Sequence, residues 1–148
     1  MASYHSRQND VLSAQSPARI GALAVLPVFF NLHGKPVLVI GGGEPAVWKA
    51  ELLAQAGAAV QVVAPDPCSE MLALTAQAGL QGSVRLFARE WSLKDLKQKA
   101  LVVADAASDG EAKTIHCAAR FAGVPVNVID KPEFCTFQFG SIVNRSPV

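Results

Sequence analysis

The chain has 148 residues, 51% of them hydrophobic and 17% charged, with a formal net charge of +1. That length holds one domain of ordinary size, or one domain and a fragment of a second, with ample apolar material for a core. A net charge so close to zero excludes a field strong enough to gather nucleic acid or an anionic membrane. No apolar run approaches the roughly 20 residues that span a bilayer.

Residues 1–25 read as a flexible leader, with Met1 to Arg19 rich in Ser, Ala and Gln and carrying a single acid, Asp10. A transit peptide is the rival reading of that stretch. The apolar segment Ile20 to Phe30 includes Gly21 and Pro27 and reads as a leading edge strand better than as a secretion signal.

Short β-branched runs then alternate with alanine-rich segments. The runs are Val37 to Ile40, Val60 to Val63, Val84 to Phe87, Leu101 to Val103 and Val126 to Ile129. Nearly continuous apolar strands of this kind suit a sheet covered on both faces. A first helix is expected from Pro45 to Ala56, with proline near its start and Gly57 past its end. A second follows Asp66 and Pro67 and stops at Gly79. Ser92 and Asp95 have the spacing of a capping box before a short third helix. The fourth opens near Asp109 and closes at Gly123. Four strand–helix alternations predict an α/β fold with a Rossmann-like, doubly wound parallel sheet over residues 26–130, whose strand ends share one ligand-binding edge.

From Lys131 to Val148 the pattern changes. Phe134 to Phe139 alternates in period two, Gly140 interrupts, and Ser141 to Val143 begins another apolar run. These read as strands outside the repeat, with exposed edges suited to pairing between two chains.

The strongest motif is Gly41-Gly42-Gly43-Glu44-Pro45-Ala46, a G-x-G-x-x-A pattern between an expected strand and an expected helix. Gly41 permits the tight turn, Gly43 lets the backbone approach a pyrophosphate, and Ala46 keeps the helix close to the strand. The helix start then offers unpaired N–H groups to the phosphates. A plain glycine turn is the bland alternative. Asp66 lies just past the usual place of the ribose-binding acid, and capping the second helix competes for it. No arginine sits beside it to take a 2′-phosphate, which favours NAD over NADP. Asp105, Ser108 and Asp109 fall on the same edge, Asp109 reading mainly as a helix cap. Asp130 closes the fifth strand, and Lys131-Pro132 is expected to hold the chain extended after it. A carboxylate there suits a proton acceptor, with a solvated strand-end acid as the rival. The cysteines (Cys68, Cys117, Cys135) and histidines (His5, His33, His116) are scattered. No disulfide framework or metal site is expected, in keeping with a reducing cytoplasm.

In order, Leu26 to Phe30, the glycine loop, Trp48 to Ala50, Ala56 to Ala58, Val63 to Pro65, Val126 to Asp130 and Gly140 to Pro147 resemble the precorrin-2 dehydrogenase/sirohydrochlorin ferrochelatase domain of siroheme synthases. The resemblance implies a Rossmann domain that binds NAD, a dimerisation segment and a homodimer. It implies precorrin-2, sirohydrochlorin and ferrous iron as substrates. Asp130 would be the catalytic residue of both dehydrogenation and chelation. Cofactor contacts would fall on Gly41, Gly42, Gly43, Glu44 and Pro45, on Pro65 and Asp66, and on Asp105, Ala106 and Ala107. Ser141 and Arg145 would lie near the dimer interface and the tetrapyrrole cleft; Lys131, with Arg145, is expected on its own chemistry as a local cation for the substrate's carboxylates. Two departures stand out: Trp48-Lys49 replaces a common Arg-Lys pair, and the family's further strand and helical domain do not follow here. A nucleotide-sensing Rossmann module that catalyses nothing is the alternative. A dehydrogenase of small hydroxy compounds fits less well, since the only tyrosine, Tyr4, lies in the leader and His116 falls mid-helix as a partly exposed residue.

Overall fold

A computed structural model describes residues 17–142. Residues 17–30 belong to a separate unit and contain neither helix nor strand. The expected leading edge strand over Ile20 to Phe30 is therefore not formed; Gly21 weakens such a run and Pro27 removes a ladder donor.

From Asn31 the elements are β1 (Pro36–Ile40), α1 (Glu44–Gln55), β2 (Ala59–Val63), α2 (Ser69–Thr75), β3 (Ser83–Phe87), a 3₁₀ turn (Leu93–Leu96), β4 (Val102–Ala104), α3 (Asp109–Ala122), β5 (Val126–Val128) and a second 3₁₀ turn (Pro132–Phe134). The five strands are all parallel, in the order β3-β2-β1-β4-β5. This is the Rossmann-like α/β sheet, and its order reverses between β1 and β4.

Strand alternation sends Val37, Val39, Val60 and Val62 to one face, where they pack under α1 and α2. Leu38, Ile40, Val63, Val102, Val126 and Val128 fill the other face, under α3 and Leu96. Burying a valine or leucine fully contributes about 1.5–3 kcal/mol, so both faces are strongly committed. Ala46, Ala50 and Ala54 recur at four-residue spacing and have no exposed surface. Their small side chains bring α1 close to β1.

The third crossover differs from expectation. Between Phe87 and Val102 the only helical piece is the 3₁₀ turn. That segment crosses from β3 past β2 and β1 to β4, three strand spacings of about 4.8 Å each. The turn is fixed by Asp95, which is buried and fully engaged. It accepts two hydrogen bonds from Arg89 (2.9 and 2.8 Å), one from the Ser92 N–H (2.8 Å) and one from Gln61 (3.0 Å). The Ser92–Asp95 relation anticipated as a capping box thus survives on a shorter element.

The strand expected over Phe134 to Phe139 is also replaced, while the run expected from Ser141 to Val143 extends outside the described residues. Residues 134–137 lie along the outer side of β5 without becoming a strand. Thr136 N–H donates to Val126 O (2.8 Å), and the Val126 N–H donates to Thr136 Oγ1 (2.9 Å). Asn127 Nδ2 donates to Phe137 O (3.0 Å), and Cys135 Sγ is hydrogen-bonded to both backbone groups of Val128 (3.2 Å each). Side chains thus satisfy an edge that a sixth strand would otherwise occupy. The alternating apolar residues here serve to pin an irregular segment to the body.

Candidate functional site

Register assembles the site. Ile40 pairs with Ala104, and Ala104 with Val128, so the next residue of each strand reaches the same edge. The ladder extends one step further: Gly41 N–H donates to Val63 O (3.0 Å), Asp105 N–H to Ile40 O (2.8 Å) and Ile129 N–H to Ala104 O (2.9 Å). Gly41, Asp105 and Ile129 therefore stand side by side at the carboxyl ends of β1, β4 and β5. That edge, at the reversal of strand order, is where open α/β sheets bind ligands.

Gly41 has φ +115°, a conformation open to glycine, and a Cβ placed on it would lie 2.9 Å from Asp105 Cβ. Gly42 is buried under the β2–α2 connection, where a Cβ would come within 2.7 Å of Pro67 Cα and 2.9 Å of Ala64 Cβ. Gly43 caps α1 with an extended backbone. A Cβ there would meet Asp105 Oδ2 at 3.4 Å and Pro45 Cδ at 3.8 Å, so its surroundings are otherwise open. Glu44 and Pro45 form the first turn of α1. Proline supplies no N–H, which leaves the amides of Gly43, Glu44 and Ala46 as the donors of that helix end. The loop is a backbone cradle that side chains would fill.

Two cavities flank it. One, about 310 Å³, is lined by Gly41, Pro65, Glu90, Trp91, Asp105, Ala107 and Glu111, with Ile40 and Val63 at its base. The other, about 400 Å³, lies between α1 and the end of β5. Pro45, Trp48 and Lys49 form one wall and Asn127, Asp130, Lys131, Cys135 and Phe139 contribute to the rest.

Asp130 occupies the third position of a turn closed by the Lys131 N–H to Val128 O (3.1 Å), with φ +61°. Aspartate tolerates this left-handed conformation better than most side chains. The chain thus reverses after β5, where Lys131-Pro132 was expected to hold it extended. Burial pushes the Asp105 carboxyl above its ordinary value, and the charges of Asp130 and Glu111 add to that rise. Burial pulls the Lys49 ammonium below its ordinary value, while the Asp130 charge opposes the shift.

The remaining expected residues sort as follows. Pro65 and Asp66 are exposed just beyond β2, Pro65 on the smaller cavity. Asp66 does not cap α2, whose N-cap is Cys68. The Cys68 N–H reaches back to Gly42 O (2.9 Å), so the chain needs two more residues to turn before the helix can start. Ala106 is packed against the α3 face of the core, and the Ala107 N–H donates to Glu111 Oε2 (3.0 Å). Asp109 does not cap α3 either: the Glu111 N–H donates to Ser108 Oγ (3.1 Å). Asp109 instead pairs with Lys131 at 2.6 Å, so the Lys131 charge is already partnered. His116 is half-buried on α3, with Nδ1 2.7 Å from Phe134 O, and helps hold the second 3₁₀ turn. Ser141 is exposed near the end of the described residues, and Arg145 lies outside them.

Sequence reasoning missed Lys49, Trp91 and Cys135 as cavity residues. The signal for Lys49 was present, since Pro45, Trp48 and Lys49 fall at i, i+3 and i+4 on one helix face. No such signal existed for Cys135, which arrives through an irregular segment. Burial pushes its thiol above the ordinary value. Among the described residues no group of three or more His, Cys, Asp or Glu could hold a metal ion, and no helix is long and apolar enough to cross a membrane.

Comparison with known proteins matches residues 28–141 to the family described as "Putative NAD(P)-binding". The siroheme synthase of Ectopseudomonas mendocina is 45% identical over 123 residues, covering 83% of this chain and 25% of the relative. That of Nitrosomonas europaea is 41% identical over 124 residues, with the same two coverages. The chain thus spans about a quarter of the length of these relatives. Among solved structures, SirC, a precorrin-2 dehydrogenase, superposes with a TM-score of 0.67 at 24% identity, over 84% of this chain and 58% of SirC.

Proposed function

The chain belongs to the NAD(P)-binding family, and on that premise we propose that it is the dinucleotide-binding part of an enzyme that oxidises precorrin-2 to sirohydrochlorin. The observation that carries the reading is the single edge shared by the Gly41–Ala46 cradle, Asp105 and Asp130, with a cavity on each side. The siroheme synthase relatives and the precorrin-2 dehydrogenase neighbour supply the substrate.

In this reading the amides of Gly43, Glu44 and Ala46 hold the pyrophosphate, and the cavity at Pro65 and Trp91 takes the adenosine. Its rim carries Glu90, Asp105 and Glu111 and no Lys or Arg. A 2′-phosphate would meet three carboxylates there, which supports NAD over NADP. The bound nicotinamide supplies the hydride acceptor. Asp130, on the turn after β5, accepts the proton lost as a ring carbon gives up its hydride, a general-base role typically worth 10²–10⁴ in rate. Trp48 and Phe139 offer flat apolar walls for the macrocycle. The same carboxylate can take pyrrole protons as ferrous iron enters sirohydrochlorin, giving siroheme. Lys131, Ser141 and Arg145 belong to the substrate side of this proposal, as do a homodimer and a cytoplasmic setting.

Anaerobic incubation with NAD and precorrin-2 tests the reading. NADH should appear in step with sirohydrochlorin, and NADP should substitute poorly. A chain that binds NAD and leaves precorrin-2 unchanged is a nucleotide-sensing module, and the enzymatic reading then falls.

A further inference from the structure

Lys49 stands apart from the other cation of the larger cavity. Its ammonium lies 3.8 Å from the centroid of the Phe139 ring and 4.7 Å from that of Trp48. Such contacts offset part of what a half-buried ammonium loses in hydration. The ion pairs among the described residues are Arg89–Asp95 and Lys131–Asp109. Lys131 is thus engaged at 2.6 Å, whereas Lys49 has no carboxylate of the described residues within ion-pair distance. A cation held against two rings at the mouth of a cavity, partly stripped of water and with no anion in contact, is organised for an anion that arrives from outside.

The surroundings narrow the class of that anion. Pro45, Trp48 and Phe139 present apolar and aromatic surface, and Asp130 contributes a negative charge to the same cavity. A small, fully hydrated anion would gain little from the rings and would be repelled by Asp130. A flat apolar body with carboxylates on flexible arms gains from the rings as well as from the cation, which offsets the repulsion Asp130 exerts on any anion, one arm reaching Lys49 while the body lies along the aromatic wall. We infer that Lys49 is the anion anchor of this cavity, taking a peripheral carboxylate of a tetrapyrrole and so positioning the macrocycle beside Asp130. The inference rests on the precorrin-2 reading for its substrate class, and its test is separable from that reading.

Titration calorimetry of the full chain with uroporphyrin, a stable porphyrin bearing eight carboxylates, reads the anchor without any turnover. The chain should bind it, with affinity falling as salt rises. Lys49→Met, which keeps the length of the stem, should weaken binding about tenfold, equivalent to about 1.4 kcal/mol. Lys49→Arg should recover most of the loss, and Lys131→Met should cost less than Lys49→Met. NAD affinity should be the same in all forms. The inference is overturned if the unsubstituted chain does not bind uroporphyrin, if Lys49→Met binds within twofold of it, or if NAD affinity falls in parallel. With precorrin-2 the same anchor should appear as a raised KM with little change in kcat. A tenfold loss of porphyrin binding in a chain that oxidises nothing would leave the anchor standing and remove the dehydrogenase reading. Turnover with an unchanged KM in Lys49→Met would do the reverse.

Discussion

Gly41 and Gly43 sit two residues apart in one loop, yet alanine at each should fail in a different way. At Gly41, φ +115° is a conformation that costs a non-glycine residue about 1–3 kcal/mol. The added methyl would also lie 2.9 Å from Asp105 Cβ and 3.1 Å from Asp105 O, an overlap whose relief costs a further 1–3 kcal/mol or so. Gly41→Ala should therefore lose about 2–6 kcal/mol of stability in urea unfolding. At Gly43 the backbone is ordinary, φ −84°, and the nearest atoms stand at 3.4 and 3.8 Å. Alanine is a poorer N-cap than glycine by about 0.5–1 kcal/mol, and reduced freedom of the unfolded chain returns a similar amount. Gly43→Ala should thus unfold within about 1 kcal/mol of the parent. Its methyl would nonetheless occupy the approach to the helix amides, and NAD affinity, followed by the fluorescence of Trp91 on the adjoining cavity, should fall at least tenfold. Unaltered NAD affinity in a folded Gly43→Ala would refute the cradle, and a Gly41→Ala as stable as the parent would refute the steric argument.

Two further outcomes concern carboxylates. The hydrogen bonds from Arg89 hold the Asp95 carboxyl below its usual range against the opposing effect of burial, with the Ser92 N–H adding to the lowering. A depressed folded-state value stabilises the fold above the unfolded value of about 3.9 and loses that effect as pH falls through the folded one. Asp95→Asn should cost about 1–2 kcal/mol at neutral pH, given the exposure of Arg89. Thermal melts of the two forms should converge in acid, and a gap that does not shrink would contradict the assignment. Asp105 has the opposite sign, because burial raises its carboxyl. Its charged form costs the fold stability above that raised value and nothing below about pH 3.9. Asp105→Asn should melt higher than the parent at neutral pH, with the advantage vanishing in acid; an advantage that persists there would have another origin.

The sheet was legible because burial on both faces writes itself into continuous β-branched runs, and all five strands fall within a residue or two of their expected ends. Helices α1 and α3 were equally legible, the first from its proline and the second from Gly123, which takes the left-handed C-cap conformation. Caps were harder to assign. Asp66 and Asp109 have the right chemistry, but the Cys68–Gly42 bond and the Ser108 hydroxyl displaced them. Elements whose form depends on distant partners were not legible. Residues 88–101 wind only into the 3₁₀ turn that Asp95 fixes through Arg89, Ser92 and the distant Gln61, and residues 134–139 alternate like a strand while Thr136, Asn127 and Cys135 tie them to β5 through side chains. The glycine cradle and Asp130 could be placed on one edge from the order of elements alone. Lys49 could not be connected with Phe139, 90 positions later, until that irregular segment was located.

Substitution of Asp130 by asparagine tests the central claim most directly. Asparagine keeps the shape, accepts φ +61°, and removes the proton-accepting charge. With NAD affinity and melting temperature matched to the parent, oxidation of precorrin-2 should fall by about 10²–10⁴. A folded, NAD-binding Asp130→Asn that oxidises precorrin-2 at the parent rate would contradict the account.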